Sequence, residues 1–314
     1  MFLTVTPNLC IERTLQIPDF QSGKVHRVFP GNLSVNAGGK GINAARVAAQ
    51  LGAKAKAISW VGTFQRAWFE AQLLRENIDF DFVETQSDTR VCLNILGGTG
   101  EKTEVVEAGN ALSIDDGTRM LELFESLLPQ ADLTAICGSY PGKGSTPFDT
   151  HLTLLCALAR RQNKKVLVDG KGAAFRMLLR SKFLPWAIKP NCDEASDFLK
   201  YSLCDEASER RAVENFLNLG IEVVLLSCGA RGAYLGTREQ IVFFSSPRVR
   251  EISSVGSGDA FVGAFAAKFL ESKDLIEAAR WGVAAGAANA SQARSAFCTR
   301  EEIEVLLPQV GVGR

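Results

Sequence analysis

Histidine is nearly absent from this 314-residue chain, which holds only His26 and His151. That argues against histidine-centred triads and histidine-rich metal sites, and it passes any base catalysis to a carboxylate. The eight cysteines (Cys10, Cys92, Cys137, Cys156, Cys192, Cys204, Cys228, Cys298) are scattered without a C-x-x-C pair. They read as small buried hydrophobes in a reducing compartment rather than as disulfides or a zinc site. No segment approaches the ~18 consecutive apolar residues of a membrane helix, and the opening MFLTVTPNLC lacks the basic and apolar regions of a secretory leader. A cytoplasmic chain with no membrane partner is expected. An excess of one charge is also missing, because 35 Lys and Arg balance 35 Asp and Glu. No overall field favours nucleic acid, so an anionic ligand has to be held by local groups.

What is present is a strand–helix rhythm. FLTVT reads as a first strand and KGINAARVAAQLGA as a small-residue helix ending near Gly52. KAKAISWVG, LTAICG, KKVLVDG and WAIKPN read as further strands, each followed by a helical stretch. After EVVLLSCG comes a hairpin, GAYLGTREQIVFFSS, and then three helices. Short buried strands alternating with helices predict parallel crossovers and a doubly wound α/β sheet. Residues 8–36 and 79–109 break the rhythm, with strand-type alternation, turn residues and no helical period. They are expected to form a small antiparallel sheet projecting from a single domain spanning 1–314. Such a sheet has one face to bury, against a ligand cleft or a second subunit.

The chemistry-bearing stretches are glycine-rich. In SSVGSGDAFVGAF, Gly256, Ser257 and Gly258 precede Asp259 and a helix of small residues. Aspartate and glycine both suit an ordinary helix start. The functional reading is phosphoryl transfer: the backbone N–H groups of Gly256, Ser257 and Gly258 face developing phosphoryl charge, and Asp259 takes the proton of the attacking hydroxyl. In NAGGKGINAARVAAQLG, consecutive glycines let backbone approach a ligand, with Lys40 and Asn43 on the first helical turn. This stretch fits neither G-x-x-x-x-G-K-[ST] nor G-x-G-x-x-G after a strand, which disfavours a dehydrogenase. In IKPNCDE, Asn191 and Glu194 have the spacing of a capping box; alternatively they help hold hydrated Mg²⁺, which takes few protein ligands. Gly229 and Gly232 in LLSCGARGAYL fit a hairpin, and AAGAANASQ fits either close helix packing or a slot for a flat adenine ring beside Asn289.

The order of these stretches resembles the phosphofructokinase-B family of sugar kinases, also called ribokinase-like, and the resemblance runs essentially end to end. AGGKGINAARVAAQLG looks like its first signature and SSVGSGDAFVGAF like its second, with Ser257 where alanine is commoner. IKPNCDE resembles the N-x-x-E magnesium motif and SCGARGAYL the nucleotide-binding turn. TRVCLNI and GEKTEVVEAG are most similar to the branch acting on ketose phosphates, which includes 1-phosphofructokinases and tagatose-6-phosphate kinases. The resemblance implies a ribokinase-like fold, a mostly parallel sheet flanked by helices with a β-sheet lid. It also implies ATP-dependent, Mg²⁺-assisted phosphorylation of a sugar hydroxyl. By position, Asp259 matches the base and Gly256 to Gly258 the anion hole, while Gly38, Gly39, Lys40 and Asn43 match the sugar-binding loop. Arg90 and Ser139 match contacts near the sugar's phosphate, where an arginine fork suits the anion. Lys189, Ser227, Gly229, Gly232 and Asn289 fall in the implied ATP site, and Asn191 and Glu194 in the implied magnesium region, the metal being held through water.

Three departures bear on substrate. Glu12, in TPNLCIERTL, stands where the family places an aspartate against sugar hydroxyls, and its extra methylene moves the carboxylate by roughly an ångström or more. DGKGAAF lacks the small hydroxyl residues common after Asp169, and GSYPGKGST replaces a Pro-Pro-Gly turn. The expected activity is therefore ATP-dependent phosphorylation of a phosphorylated ketohexose such as fructose 1-phosphate, fructose 6-phosphate or tagatose 6-phosphate. The alternatives are a kinase of an unphosphorylated sugar or nucleoside, and a non-catalytic sensor on the same scaffold. A homodimer through the lid edges is a further expectation.

Overall fold

The computed structural model describes residues 1–98, 102–109, 112–141 and 147–313. Strand β1 (Phe2–Thr6) is buried at every position, and its alternate side chains feed two separate cores. Phe2 joins one core, whereas Leu3 and Val5 join the other, as the two-residue period of a strand requires. The chain then leaves the body through β2 (Cys10–Gln16) and β3 (Leu33–Gly38), and returns through helix α1 (Lys40–Gln50). Next come β4 (Ala55–Gly62), α2 (Arg66–Arg75) and β5 (Asp79–Thr85), before a second excursion through β6 (Arg90–Leu96) and β7 (Lys102–Val106).

The remainder is α3 (Ile114–Leu127), β8 (Leu133–Cys137), α4 (His151–Arg161), β9 (Val166–Asp169), α5 (Gly172–Leu179) and β10 (Ala187–Ile188). It continues with α6 (Cys192–Leu199), α7 (Glu206–Asn218), β11 (Val223–Ser227), β12 (Gly232–Gly236) and β13 (Ile241–Ser245). Three helices, α8 (Ser257–Ser272), α9 (Leu275–Ala290) and α10 (Arg300–Leu306), precede a last short strand, β14 (Gly311–Gly313). Among the described residues the main sheet has ten strands in the order β14-β13-β12-β11-β10-β9-β8-β1-β4-β5. From β5 to β11 every pairing is parallel, and β12 to β14 are antiparallel. The doubly wound α/β expectation is met.

The second sheet runs β3-β2-β6-β7. Two features correct the sequence reading. Residues 79–85 are not part of this lid: β5 pairs with β4 at the edge of the main sheet, from Lys56↔Asp79 to Gly62↔Thr85. The lid is also mixed rather than antiparallel, because its central pair, β2 with β6, is parallel from Cys10↔Arg90 to Gln16↔Leu96. Alternation marks a half-buried strand whatever its partner's direction, so it could not distinguish these cases. Helices α3 and α7 were not read from the sequence, although each starts with a capping box, Ser113/Asp116 and Asp205/Ser208. No described helix is long and apolar enough to cross a membrane.

The contact that positions the site is between α1 and α8. A Cβ at Gly263 of α8 would run into the Ala44 carbonyl and lie 2.8 Å from Val47 Cβ, both on α1. A Cβ at Gly41 of α1 would lie 2.9 Å from the Val5 carbonyl oxygen on β1. Glycine thus lets α8 press on α1 and α1 press on the sheet. An unobstructed helical Gly→Ala change gains about 0.5–1 kcal/mol. Gly263→Ala should instead destabilise by about 1–3 kcal/mol, the usual scale of overpacking, as read by urea denaturation. Unchanged or raised stability would show that the helices need not be this close.

Candidate active site

Because α1 and α8 pack along their first halves, their N-termini open into one cleft of about 920 Å³ between the main sheet and the lid. Gly39 caps α1 with φ +113° and Gly256 caps α8 with φ +80°, both in a region that favours glycine. Neither supplies a side-chain cap, so first-turn N–H groups, including those of Gly258 and Asp259 on α8, remain for a ligand. The helix dipoles add partial positive charge there. The expected donor at Ser257 is already engaged, since its N–H donates to the Ser254 carbonyl at 3.2 Å.

Asp259 sits on the first turn of α8 and is 7% exposed. Asn43, on the first turn of α1, donates from Nδ2 to Asp259 Oδ2 at 2.9 Å. Asn43 is itself oriented by the buried Arg46, whose Nη1 donates to Asn43 Oδ1 at 2.7 Å. Arg46 also donates to the Ala37 carbonyl at 2.6 Å and to Glu76 at 2.8 Å, fixing the end of β3 against α1. Burial pushes the Asp259 carboxyl up to about 6, and nearby Asp169 adds to this; Lys40, Asn43 and Lys189 oppose it.

Asp169, at the end of β9, is fully buried and was not picked out as a site residue. Lys40 Nζ lies 3.2 Å from its Oδ1 and Lys189 Nζ 3.7 Å. Burial disfavours its charge, but Lys189 and Lys40 more than compensate and hold its carboxyl below the usual range. Burial likewise works against the charge on Lys40, and Asp169 and Asp259 outweigh it, so Lys40 stays protonated. Lys189 reaches the tip of α8, since a Cβ at Gly258 would stand 3.2 Å from its Nζ. Two lysines and two aspartates thus meet where the helix tips converge. The signal in the sequence was only a lone aspartate ending a strand.

The lid supplies the other wall. Glu12 is 7% exposed and lines the cleft, with Asn94 at 3.5 Å from its Oε1. Burial pushes its carboxyl up, against a hydrogen bond from Ser295 and the charge of Arg46. A Cβ at Gly38 would lie 2.8 Å from Glu12 Cβ and 3.1 Å from Oε2. Gly38 therefore lets β3 pack closely on the Glu12 side chain and does not itself line the cleft. Arg90 lines the cleft and donates to the Asn8 carbonyl from Nε (3.3 Å) and Nη2 (3.0 Å), and to the Glu107 carbonyl from Nη1 (2.9 Å). Three of its five N–H groups are used, and two remain. Ser139 is half-buried just beyond β8 and is not among the residues that line the cleft. The following turn at 142–146, and Gly100 and Glu101 of the second lid segment, lie outside the described residues.

At the far end, Ser227, Gly229 and Gly232 line the cleft beside Arg248 and Val249. Val283, Gly286, Ala287 and Ala290 form one small-residue face of α9 there. Asn289 does not face the cleft: it is fully buried and donates to the Val255 carbonyl (2.8 Å) and to Ser257 Oγ (3.0 Å), while the Ala296 N–H donates to it at 2.6 Å. It braces the loop before α8 rather than meeting a ring. Asn191 and Glu194 form the capping box of α6, with Glu194 N–H donating to Asn191 Oδ1 at 2.8 Å and Asn191 N–H to Glu194 Oε2 at 3.0 Å. Both also line the cleft. One carboxylate and one amide suit an ion that keeps most of its waters, as Mg²⁺ does.

Unfolded aspartate titrates near 3.9. With a folded pKa above that value, the stabilising contribution of Asp259 is complete below about pH 4 and is lost as pH rises through about 6. Asp259→Asn should therefore be more stable than the parent at pH 7.5, by at most about 3 kcal/mol. The advantage should vanish near pH 4 in urea denaturation. A variant less stable at pH 7.5 would contradict the burial argument.

Comparison with known proteins identifies relatives of the whole chain. Residues 9–302 match the pfkB family of carbohydrate kinases. The chain is 32% identical to the 1-phosphofructokinase of Bacillus subtilis (strain 168), over the full length of both. It superposes on phosphofructokinase-2 from Escherichia coli in complex with fructose-6-phosphate with a TM-score of 0.86, at 27% identity over 98% of each chain. A possible 1-phosphofructokinase from Thermotoga maritima gives a TM-score of 0.91 at 23% identity, over 100% of this chain and 99% of that one, and shares the fold.

Proposed function

The chain belongs to the pfkB family of carbohydrate kinases, and from this premise we propose that it transfers the γ-phosphoryl group of ATP to a hydroxyl of a phosphorylated ketohexose. The observation that carries the proposal is Asp259. It is a buried acid pushed up to about 6, at the tip of one helix and hydrogen-bonded to the tip of another, lining the cleft. Near neutral pH it is mostly ionised yet basic enough to accept a proton, which suits a general base. Asp259 takes the proton of the sugar hydroxyl as that oxygen attacks the γ-phosphorus, and the bond from phosphorus to the β,γ-bridging oxygen breaks to release ADP. The N–H groups of Gly258 and Asp259, with Lys40 and Lys189, face the charge that develops. Asn191 and Glu194 would hold Mg²⁺, which would supply positive charge against the nucleotide phosphates.

For the sugar, the 32% identity to a 1-phosphofructokinase supports a ketose phosphate. The two remaining N–H groups of Arg90 suit a phosphate, and Glu12 with Asn94 suits sugar hydroxyls. Arg90's three main-chain bonds favour, as a second reading, a smaller role in binding and hence an unphosphorylated substrate. The nucleotide base is assigned to the wall formed by Val283, Gly286 and Ala287, which line the cleft on one face of α9. The lid is proposed as a homodimer contact, since Val105 and Val106 on β7 are 54% and 55% exposed. Eight free cysteines fit a reducing cytoplasm.

ADP release from ATP–Mg²⁺ is expected with one of fructose 1-phosphate, fructose 6-phosphate or tagatose 6-phosphate, and not with fructose, ribose or adenosine. Asp259→Asn should lower kcat by roughly 10²–10⁴; near-normal turnover would remove Asp259 from the role. Arg90→Ala should raise KM for the phosphorylated sugar with a smaller change in kcat. A KM left untouched would favour the second reading.

A further inference from the structure

One cluster lies outside the cleft chemistry. Cys192 opens α6, Cys228 follows β11, and Glu209 sits on the first turns of α7. The two sulfurs and a carboxylate oxygen all lie within 4.8 Å of one another. The thiols have weak partners: Cys192 Sγ lies 3.6 Å from Glu209 Oε1 and 3.5 Å from the Ser227 carbonyl, and Cys228 Sγ lies 3.7 Å from the Leu226 carbonyl. Arg231 pairs with Glu209 through Oε1. Glu209 is fully buried, and its other oxygen, Oε2, has no hydrogen-bond partner. A buried acceptor left unpaired is costly, and more so when charged. The sequence offered no hint of this, because the three residues are spread over 37 positions without a C-x-x-C pair.

We propose that Cys192, Cys228 and Glu209 form a binding site for a thiophilic divalent cation of the zinc class. Sulfur ligands favour zinc over magnesium or calcium. Two thiolates and one carboxylate carry −3, Arg231 returns +1, and a divalent ion brings the group to neutrality. Zinc bonds of about 2.0–2.3 Å place tetrahedral ligands roughly 3.3–3.8 Å apart. From separations of up to 4.8 Å the cluster needs to tighten by about 1–1.5 Å, and Glu209 Oε2 is the oxygen without a hydrogen-bond partner. Three protein ligands leave a fourth position for water. Binding releases the two thiol protons to solvent and involves no redox step. The ion would tie the start of α6 to the end of β11, where Asn191 and Ser227 already form a bridge and both line the nucleotide end of the cleft.

The test titrates chelator-treated, full-length protein with Co²⁺ as an optical probe, followed by Zn²⁺. One Co²⁺ per chain with thiolate-to-metal absorption, displaced by one Zn²⁺, is expected. The signal should be lost in Cys192→Ser/Cys228→Ser, weakened at least about 10-fold in Glu209→Gln, and kept in Cys10→Ser/Cys92→Ser. No stoichiometric binding, or a signal surviving loss of Cys192 and Cys228, would overturn the proposal. Should the double variant fail to fold, the unaltered protein decides. Zn²⁺ should slow alkylation of Cys192 in peptide mapping by mass spectrometry while leaving the exposed Cys204 reactive, and equal rates with and without Zn²⁺ would refute the site.

Discussion

The contact on which the rest of the site depends is the close passage of α8 over α1, where Gly263 meets the backbone of Ala44. A helix pair held further apart by side chains would separate Asp259 from Asn43, whose hydrogen bond is 2.9 Å. It would also pull the glycine-capped tips away from each other and split the region of partial positive charge into two. The small residues along both helices are the condition for two glycine-capped helix starts to converge beside one buried acid. Gly41 extends the same constraint to the sheet, so helix tips, strand ends and acid are set by one stack of backbone contacts.

Charge balance then decides what the site can do. Lys40 and Lys189 are held by Asp169, which is fully buried and stays ionised because both lysines face it. Asp259 lacks so close a cation, and burial dominates its titration instead. Two aspartates in one cleft are thereby driven apart, one locked as an anion and the other able to exchange a proton near neutral pH. Such a separation marks acid–base assignments in buried sites generally. Arg46 adds a link, joining Asn43, the Ala37 carbonyl and Glu76, so the end of β3 and the partner of Asp259 share one buried guanidinium.

The α/β alternation and the two glycine-rich helix starts were legible because they rest on local rules: period, capping and backbone freedom. The lid was legible as strand-like excursions, but its extent was not. Residues 79–85 alternate like lid strands yet pair with β4, and only tertiary packing distinguishes an edge strand of the main sheet from a lid strand. Asn289 stands among small residues in a way that suggested a ligand contact, whereas its side chain points inward to brace the loop before α8. Asp169 went unassigned because its function depends on lysines 129 and 20 residues away in sequence. Glu12 was legible as a departure that displaces a carboxylate, but its burial beside Gly38 on the neighbouring strand was not.

The central claim is that the ionised form of Asp259 does the chemistry, at a pKa set by burial and trimmed by Asn43. Its most direct test is the pH dependence of kcat/KM for the accepted sugar, in the parent and in Asn43→Ala. The account predicts an acidic limb near pH 6 in the parent. In Asn43→Ala the limb should move to higher pH, because the hydrogen bond that favours the carboxylate is gone. A profile flat down to pH 5, or a limb that does not move when Asn43 is removed, would contradict it.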